Sequence, residues 1–181
     1  MLKIIKIGGG IIDNEQDLEQ FLQTFSEIKE PKILVHGGGK GASKMLNQLG
    51  IEPKMIEGRR ITDKPTLDVV TGLYAGNLNK SIVSKLQEFG CNALGLSGAD
   101  GNAIKGSKRP VKTIDYGFVG DLNHESVNKE LFQLLIDNNI TPVVCAITHD
   151  GNGQLLNTNA DTIASTIAVA MSQENKVELN F

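Results

Sequence analysis

Short apolar runs alternate along this chain with longer stretches in which apolar residues recur every third or fourth position. Leu2 to Ile7 (LKIIKI), Lys32 to His36 (KILVH), Asn92 to Ser97 and Thr141 to Ile147 (TPVVCAI) read as strands of the continuously apolar, buried type. Between the first two, Leu18, Phe21, Leu22, Phe25 and Ile28 fall on one side of a helix predicted over Glu15 to Ile28. Lys40 to Leu49 predicts a second helix, stopped by Gly50, and Pro65 opens a long helix that runs to about Phe89 and is closed by Gly90. Val127 to Ile136 and Thr158 to Met171 are also helical in period. Ile51 to Thr62 predicts two short strands, and residues 103 to 121 a hairpin or an irregular excursion. His149 to Asn159 is polar and rich in Gly and Asn, and Lys176 to Phe181 begins a further strand.

Apolar strands alternating with helices predict an α/β fold, a three-layer αβα sandwich with a mostly parallel open sheet. The sequence stops at VELNF, inside an apparent strand that would ordinarily lead to another loop and helix. The expectation is a piece of a longer protein, truncated at its C-terminus.

Composition narrows the classes. With 18 Lys+Arg against 21 Asp+Glu, a net charge of −3 gives no basis for a nucleic acid or an anionic membrane as partner. No apolar run reaches the roughly 18 residues of a membrane span, and no basic leader precedes the first strand, so a cytoplasmic protein is expected. Cys91 and Cys145 form no metal or disulfide spacing and read as packed, reduced thiols, and His36, His124 and His149 have no ligand spacing, so no metal site is expected. Glycine is the exception, at 20 of 181 residues against an average near 7 %.

The glycines are clustered where an α/β sheet binds ligands, beyond the carboxyl ends of its strands. Lys6-Ile7-Gly8-Gly9-Gly10 ends the first strand, and glycines there let an anion approach backbone N–H groups beside a lysine charge. His36-Gly37-Gly38-Gly39-Lys40-Gly41 lies between the second strand and a helix N-terminus, a second anion cradle. Two cradles on neighbouring strands suit phosphoryl transfer, one for nucleotide phosphates and one for the acceptor. A P-loop is excluded because Lys40 is followed by Gly41. Gly37, Gly39 and Ala42, with Glu57 downstream, do fit the dinucleotide pattern GxGxx[GA], which keeps an NAD(P)-binding oxidoreductase as a rival.

Two further stretches carry chemistry. Arg59 and Arg60, after Gly58, are either a solvated turn or, if one faces the site, a bidentate carboxylate clamp. In Leu156-Asn157-Thr158-Asn159-Ala160-Asp161, Thr158 or Asn159 suits a helix cap. Alternatively Asn157 and Asn159 donate and accept at a polar ligand, and Asp161 orients a lysine at the transferring phosphoryl group.

Taken in order, Lys6-Ile-Gly-Gly, His36-Gly-Gly-Gly, Gly58-Arg-Arg-Ile-Thr and Asn157-Thr-Asn-Ala-Asp161 resemble the amino acid kinase family over the whole chain. The likeness is nearest to the branch that phosphorylates the γ-carboxylate of N-acetyl-L-glutamate with MgATP in arginine biosynthesis. The resemblance implies a single amino acid kinase domain over 1–181, comprising the acyl-amino-acid-binding lobe and the start of the ATP-binding lobe, in a homodimer. By the same resemblance Lys6 stabilises the transferring phosphoryl group, Gly8 and Gly9 lie at the nucleotide phosphates, and Asp161 organises the catalytic lysines. Gly38, Gly39, Arg60 and Asn157 match substrate-binding positions, Arg60 taking the α-carboxylate, and Asn159 is grouped with them.

A carboxylate acceptor is already ionised at pH 7, so a site without a catalytic His or Cys is consistent with such a kinase. The acyl cap, acetyl or succinyl, is not written in these motifs, and other amino acid kinases share the first loop. A non-catalytic amino-acid-sensing lobe is the other rival.

Overall fold

The computed structural model describes all 181 residues. In chain order, β1 (Leu2–Ile7) leads through the single turn α1 (Gly9–Ile12) to α2 (Glu15–Glu27), β2 (Lys32–His36) and α3 (Gly41–Gln48). A small hairpin, β3 (Met55–Ile56) and β4 (Arg59–Arg60), precedes α4 (Lys64–Thr71), a π-helical segment at Gly72–Leu78, and α5 (Asn79–Glu88). Then come β5 (Ala93–Leu96), a second short pair β6 (Ser107–Lys108) and β7 (Gly120–Asp121), and α6 (Lys129–Asp137). The chain closes with β8 (Thr141–Cys145), β9 (Ile147–His149), β10 (Leu155–Asn157), α7 (Ala160–Met171) and β11 (Val177–Asn180).

Helix starts follow local chemistry. Asn14 accepts from the Gln16 and Asp17 amides to cap α2, Asp63 from Thr66 to cap α4, Asn128 from Leu131 to cap α6, and Asn159 from Thr162 to cap α7. At the other end of α2, Lys32 is buried, yet its ammonium donates to the Phe25, Ser26 and Ile28 carbonyls at 2.8, 3.0 and 2.7 Å. A buried charge is tolerated here because all three protons are used on carbonyls at the C-terminal end of α2.

The central sheet has the order β11-β1-β2-β8-β5, every neighbouring pair parallel. Its two faces are separate cores. Ile4, Ile33, Val35 and Val144 pack with Phe132 of α6 and Ile163, Ala164 and Ile167 of α7. Ile7, Leu34 and Val143 pack with Leu22 and Phe25 of α2 and Ile82 and Leu86 of α5. The predicted three-layer sandwich is therefore observed. Strand alternation then decides which way the polar ends point: Lys6 shares the parity of Leu2 and Ile4 and faces α7, whereas His36 shares that of Leu34 and faces α5.

Three predicted elements are altered by tertiary contacts. The strand expected over Thr141 to Ile147 stops at Cys145, because Ala146 gives its carbonyl to the Thr158 amide (3.1 Å) and β9 turns away to pair antiparallel with β10. The long helix from Pro65 is interrupted by the π segment, whose Gly72 and Gly76 add no side chains to resist the wider turn. The two strands expected in Ile51 to Thr62 shrink to a two-residue pair, closed by Glu57 and Gly58 with φ of 49° and 73°, the left-handed geometry of a tight hairpin turn.

Candidate functional site

At the carboxyl ends of β1, β2 and β8, beneath the β3–β4 hairpin and beside the start of α7, lies a cleft of about 310 Å³. The nine residues singled out in the sequence all line it: Lys6, Gly8 and Gly9 from the first loop, Gly38 and Gly39 from the second, Arg60 from the hairpin, and Asn157, Asn159 and Asp161 from the β10–α7 junction.

Lys6, pointed toward α7 by strand parity, reaches the first turn of that helix. Its Nζ lies 2.7 Å from Asp161 Oδ1, with the lysine side chain 15 % exposed and the aspartate 56 %. So open a pair adds little to stability, but it holds the ammonium over the first glycine loop, where a Cβ on Gly8 would lie 3.6 Å from Nζ.

The two glycine loops touch. A Cβ at Gly9 would come within 3.0 Å of Gly39 Cα, and one at Gly38 would fall inside the Tyr74 ring. Gly39 has a φ of 55°, and a side chain there would also strike the Asp13 carboxylate. These glycines are thus needed for close approach, beyond any turn they make.

Asp13 was not foreseen. From the end of α1 it accepts the Lys40 amide with both oxygens, at 2.9 and 3.0 Å. The Lys40 N–H of the second cradle is accordingly taken by the chain's own carboxylate, which ties the two loops together. Gly38 is buried in the cleft wall, and its amide donates to no acceptor in the chain, which leaves that donor for a ligand.

Arg60 is 8 % exposed. One guanidinium nitrogen, Nη2, donates to Ser43 Oγ at 2.9 Å, and the other, Nη1, is buried without a partner. A guanidinium with an idle arm in a cleft fits an incoming carboxylate and disfavours the solvated-turn alternative. Tyr74 closes the floor. Burial pushes its phenol up, and the nearby Arg60 charge opposes that shift. Tyr74 follows Leu67 and Val70 at helical spacing and packs with them, so the period marks it as core but not as part of a site.

Asn157 donates through Nδ2 to Thr62 Oγ1 at 3.0 Å, and Thr62 donates in turn to the Arg60 carbonyl at 2.8 Å. This chain links the α7 side of the cleft to the hairpin that carries Arg60 and leaves the Asn157 carbonyl oxygen available. Asn159 caps α7 by accepting the Thr162 amide at 2.9 Å, as the cap reading expected, and it also lines the cleft.

Glu57, the acidic partner of the dinucleotide pattern, lies at the hairpin turn outside the cleft and accepts from the Tyr116 hydroxyl at 3.3 Å. That pattern therefore has no acidic group at the site. Both cysteines are free and buried as expected, and burial pushes the Cys145 thiol up to about 12. No helix is long and apolar enough to cross a membrane.

An open parallel sheet with paired glycine loops, a lysine held at a helix N-terminus and an idle arginine is an α/β arrangement chemically suited to anionic small molecules. Residues 1–177 match the model of the amino acid kinase family, and the chain belongs to that family. It is 57 % identical over 171 residues to the acetylglutamate kinase of Cytophaga hutchinsonii, which covers 94 % of this chain and 64 % of that protein. It is 52 % identical over 180 residues to the acetylglutamate kinase of Parabacteroides distasonis, covering 99 % and 70 %. The chain thus spans about two thirds of the length of the curated relatives it matches. Among solved structures, smu.665 of Streptococcus mutans superposes with a TM-score of 0.81 at 26 % identity, covering 94 % of this chain and 69 % of that one. An N-acetylglutamate synthase of Neisseria gonorrhoeae, in complex with coenzyme A and N-acetyl-glutamate, superposes at 0.79 with 17 % identity, covering 98 % and 41 %, a likeness of fold.

Proposed function

We propose that this chain carries the acyl-amino-acid site, and the beginning of the ATP site, of an acetylglutamate kinase of arginine biosynthesis. The observation that carries the proposal is one cleft holding a positioned lysine, a buried guanidinium with an unpartnered nitrogen, and two touching glycine loops with an unpaired amide. The names of the relatives support the same substrate.

In this mechanism a γ-carboxylate oxygen of N-acetyl-L-glutamate attacks the γ-phosphorus of MgATP. The new O–P bond forms as the bond to the β,γ-bridging oxygen breaks, and the electron pair leaves on ADP. No general base is needed, because the nucleophile is ionised at pH 7. Catalysis is positioning and charge stabilisation. Arg60 Nη1 takes the α-carboxylate, and the Asn157 carbonyl oxygen accepts the acyl-amide N–H. The Gly38 and Gly39 amides meet the acceptor, Gly8 and Gly9 the phosphate side, and Lys6, held by Asp161, the oxygens of the moving phosphoryl group. The chain gathers no group of three or more His, Cys, Asp or Glu, and Mg²⁺ enters on the phosphates of its substrate. Homodimerisation and a cytoplasmic location belong to the same proposal.

A thermal-shift panel of N-acetyl-L-glutamate, N-succinyl-L-glutamate, MgATP and NADPH tests it. An acyl-glutamate at one hundred times its Kd adds about 2.7 kcal/mol, several degrees for a chain of this size. N-acetyl-L-glutamate is expected to stabilise and NADPH to leave the melting point unchanged. A shift with NADPH alone, or none with either acyl-glutamate, overturns the proposal.

A further inference from the structure

Beneath the second glycine loop lies a buried histidine to which the chemistry above gives no part. His36 has no exposed surface. Its Nδ1 is 2.8 Å from the Gly37 carbonyl oxygen and its Nε2 is 3.0 Å from Asn79 Nδ2. Which nitrogen holds the proton follows from the partners. The Asn79 amide is oriented from outside the pair: Nδ2 also donates to the Val143 carbonyl at 3.0 Å, and Oδ1 accepts from Lys80 Nζ at 3.1 Å. Nε2 must therefore accept, and Nδ1 carries the proton and donates to Gly37. Burial, together with the nearby Lys80 charge and against the hydrogen bond to Gly37, lowers the imidazole to about 4, so this neutral form persists throughout the physiological range.

The consequence falls on the next peptide. In a trans peptide the carbonyl and the following N–H point in opposite directions, and the chain contains no cis bond. With the Gly37 carbonyl drawn onto the imidazole, the Gly38 N–H is turned the other way, into the cleft that Gly38 lines and where it has no partner within the chain. A peptide flanked by glycines has little of its own to hold that orientation.

We propose that His36, braced by Asn79, is a positioning residue that aims the Gly38 amide at an anionic oxygen of the acceptor. In its ligand this inference rests on the acyl-glutamate proposal above. It touches no substrate itself. Its effect is to keep one hydrogen-bond donor turned toward the ligand before binding, so that binding need not order it.

The test separates the two proposals. Titration calorimetry of the unaltered chain with N-acetyl-L-glutamate comes first, and absence of binding there overturns the substrate and not the strut. The strut is read independently from the ¹⁵N shifts of the His36 ring in ligand-free protein at pH 7. A pyrrole-like Nδ1 with a pyridine-like Nε2 supports it, and the opposite tautomer overturns it, whatever the ligand. His36→Phe keeps the ring volume and removes both nitrogens. It is expected to weaken N-acetyl-L-glutamate at least about tenfold, the worth of one well-placed hydrogen bond to a charged group. Affinity for MgATP should change less than about twofold over the same comparison. His36→Asn, whose amide N–H can still donate to Gly37, is expected to recover most of the loss. A His36→Phe protein that melts lower but binds N-acetyl-L-glutamate as tightly as the parent would show a purely structural histidine and overturn the strut.

Discussion

Replacing Arg60 with Met should separate binding from stability. In the free chain the guanidinium is nearly enclosed, forms one hydrogen bond with Ser43 Oγ, and has Nη1 unpartnered. Losing the charge-assisted Ser43 bond costs about 1.5–3 kcal/mol, and removing a buried unsatisfied donor returns about 1–3 kcal/mol. Met keeps most of the side-chain length and its packing, so folding stability should stay within about 2 kcal/mol of the parent, or roughly 4–8 °C in melting temperature. Binding should fall clearly. One charge-assisted hydrogen bond from Nη1 to the ligand's α-carboxylate, at about 1.5–3 kcal/mol, implies a loss of roughly 10- to 10²-fold in affinity for N-acetyl-L-glutamate. Urea unfolding and titration calorimetry on the same two proteins give both numbers. A variant that binds like the parent, or one destabilised by more than about 2 kcal/mol, would refute the assignment of an idle guanidinium arm to the ligand.

Other substitutions probe the remaining parts of the cleft. Lys6→Ala in a phosphoryl-transfer assay should lower kcat by about 10²–10³ with a much smaller change in KM for acyl-glutamate, as expected for a group that meets charge developing in the transition state. Unchanged turnover would remove Lys6 from the chemistry. Asp13→Ala should leave the Lys40 amide unpartnered at about 1 kcal/mol and loosen the contact between the two glycine loops, whereas Asp13→Asn keeps an acceptor and most of the stability; equal melting points for all three would contradict the staple. Gly38→Ala drives a methyl group into the Tyr74 ring, so a loss of about 1–3 kcal/mol is expected, partly relieved in the Tyr74→Leu background. The pH dependence of stability has a worked sign. His36 titrates near 4 when folded and near 6.5 when unfolded, so between those values the unfolded chain binds more protons. Its contribution is complete above pH 6.5 and falls by about 3 kcal/mol as pH drops to 4. Urea unfolding of the parent and of His36→Asn at pH 7 and pH 4.5 should show a shallower acid loss in the variant, and parallel losses would refute the shift.

Much of the site was legible in the sequence because glycine clusters have few other uses. One glycine suffices for a turn, so Gly8-Gly9-Gly10 and Gly37-Gly38-Gly39 at equivalent strand ends already implied anion cradles, and strand parity then turned Lys6 toward the helix that begins near Asp161. Asp13 and Tyr74 were not legible. Asp13 lies in an exposed polar stretch and matters only because a loop 27 residues away comes to rest against it. Tyr74 reads as one more core position after Leu67 and Val70, and only the approach of Gly38 makes it part of the cleft. The dinucleotide pattern failed for the converse reason: Gly37, Gly39 and Ala42 have the spacing, but Glu57 is carried off on a hairpin to Tyr116.

By itself, then, the sequence determined the α/β class, the positions of the principal strands and the glycine clusters at their carboxyl ends. Those follow from periodicity, caps and glycine conformational freedom, which act over a few residues. Only the tertiary structure decided that Lys6 and Asp161 form a pair, that Arg60 keeps a free nitrogen, and that His36 turns a peptide outward. Each depends on groups distant in sequence meeting within about 3 Å, and hydrogen-bond geometry lost beyond that range leaves no local pattern to read.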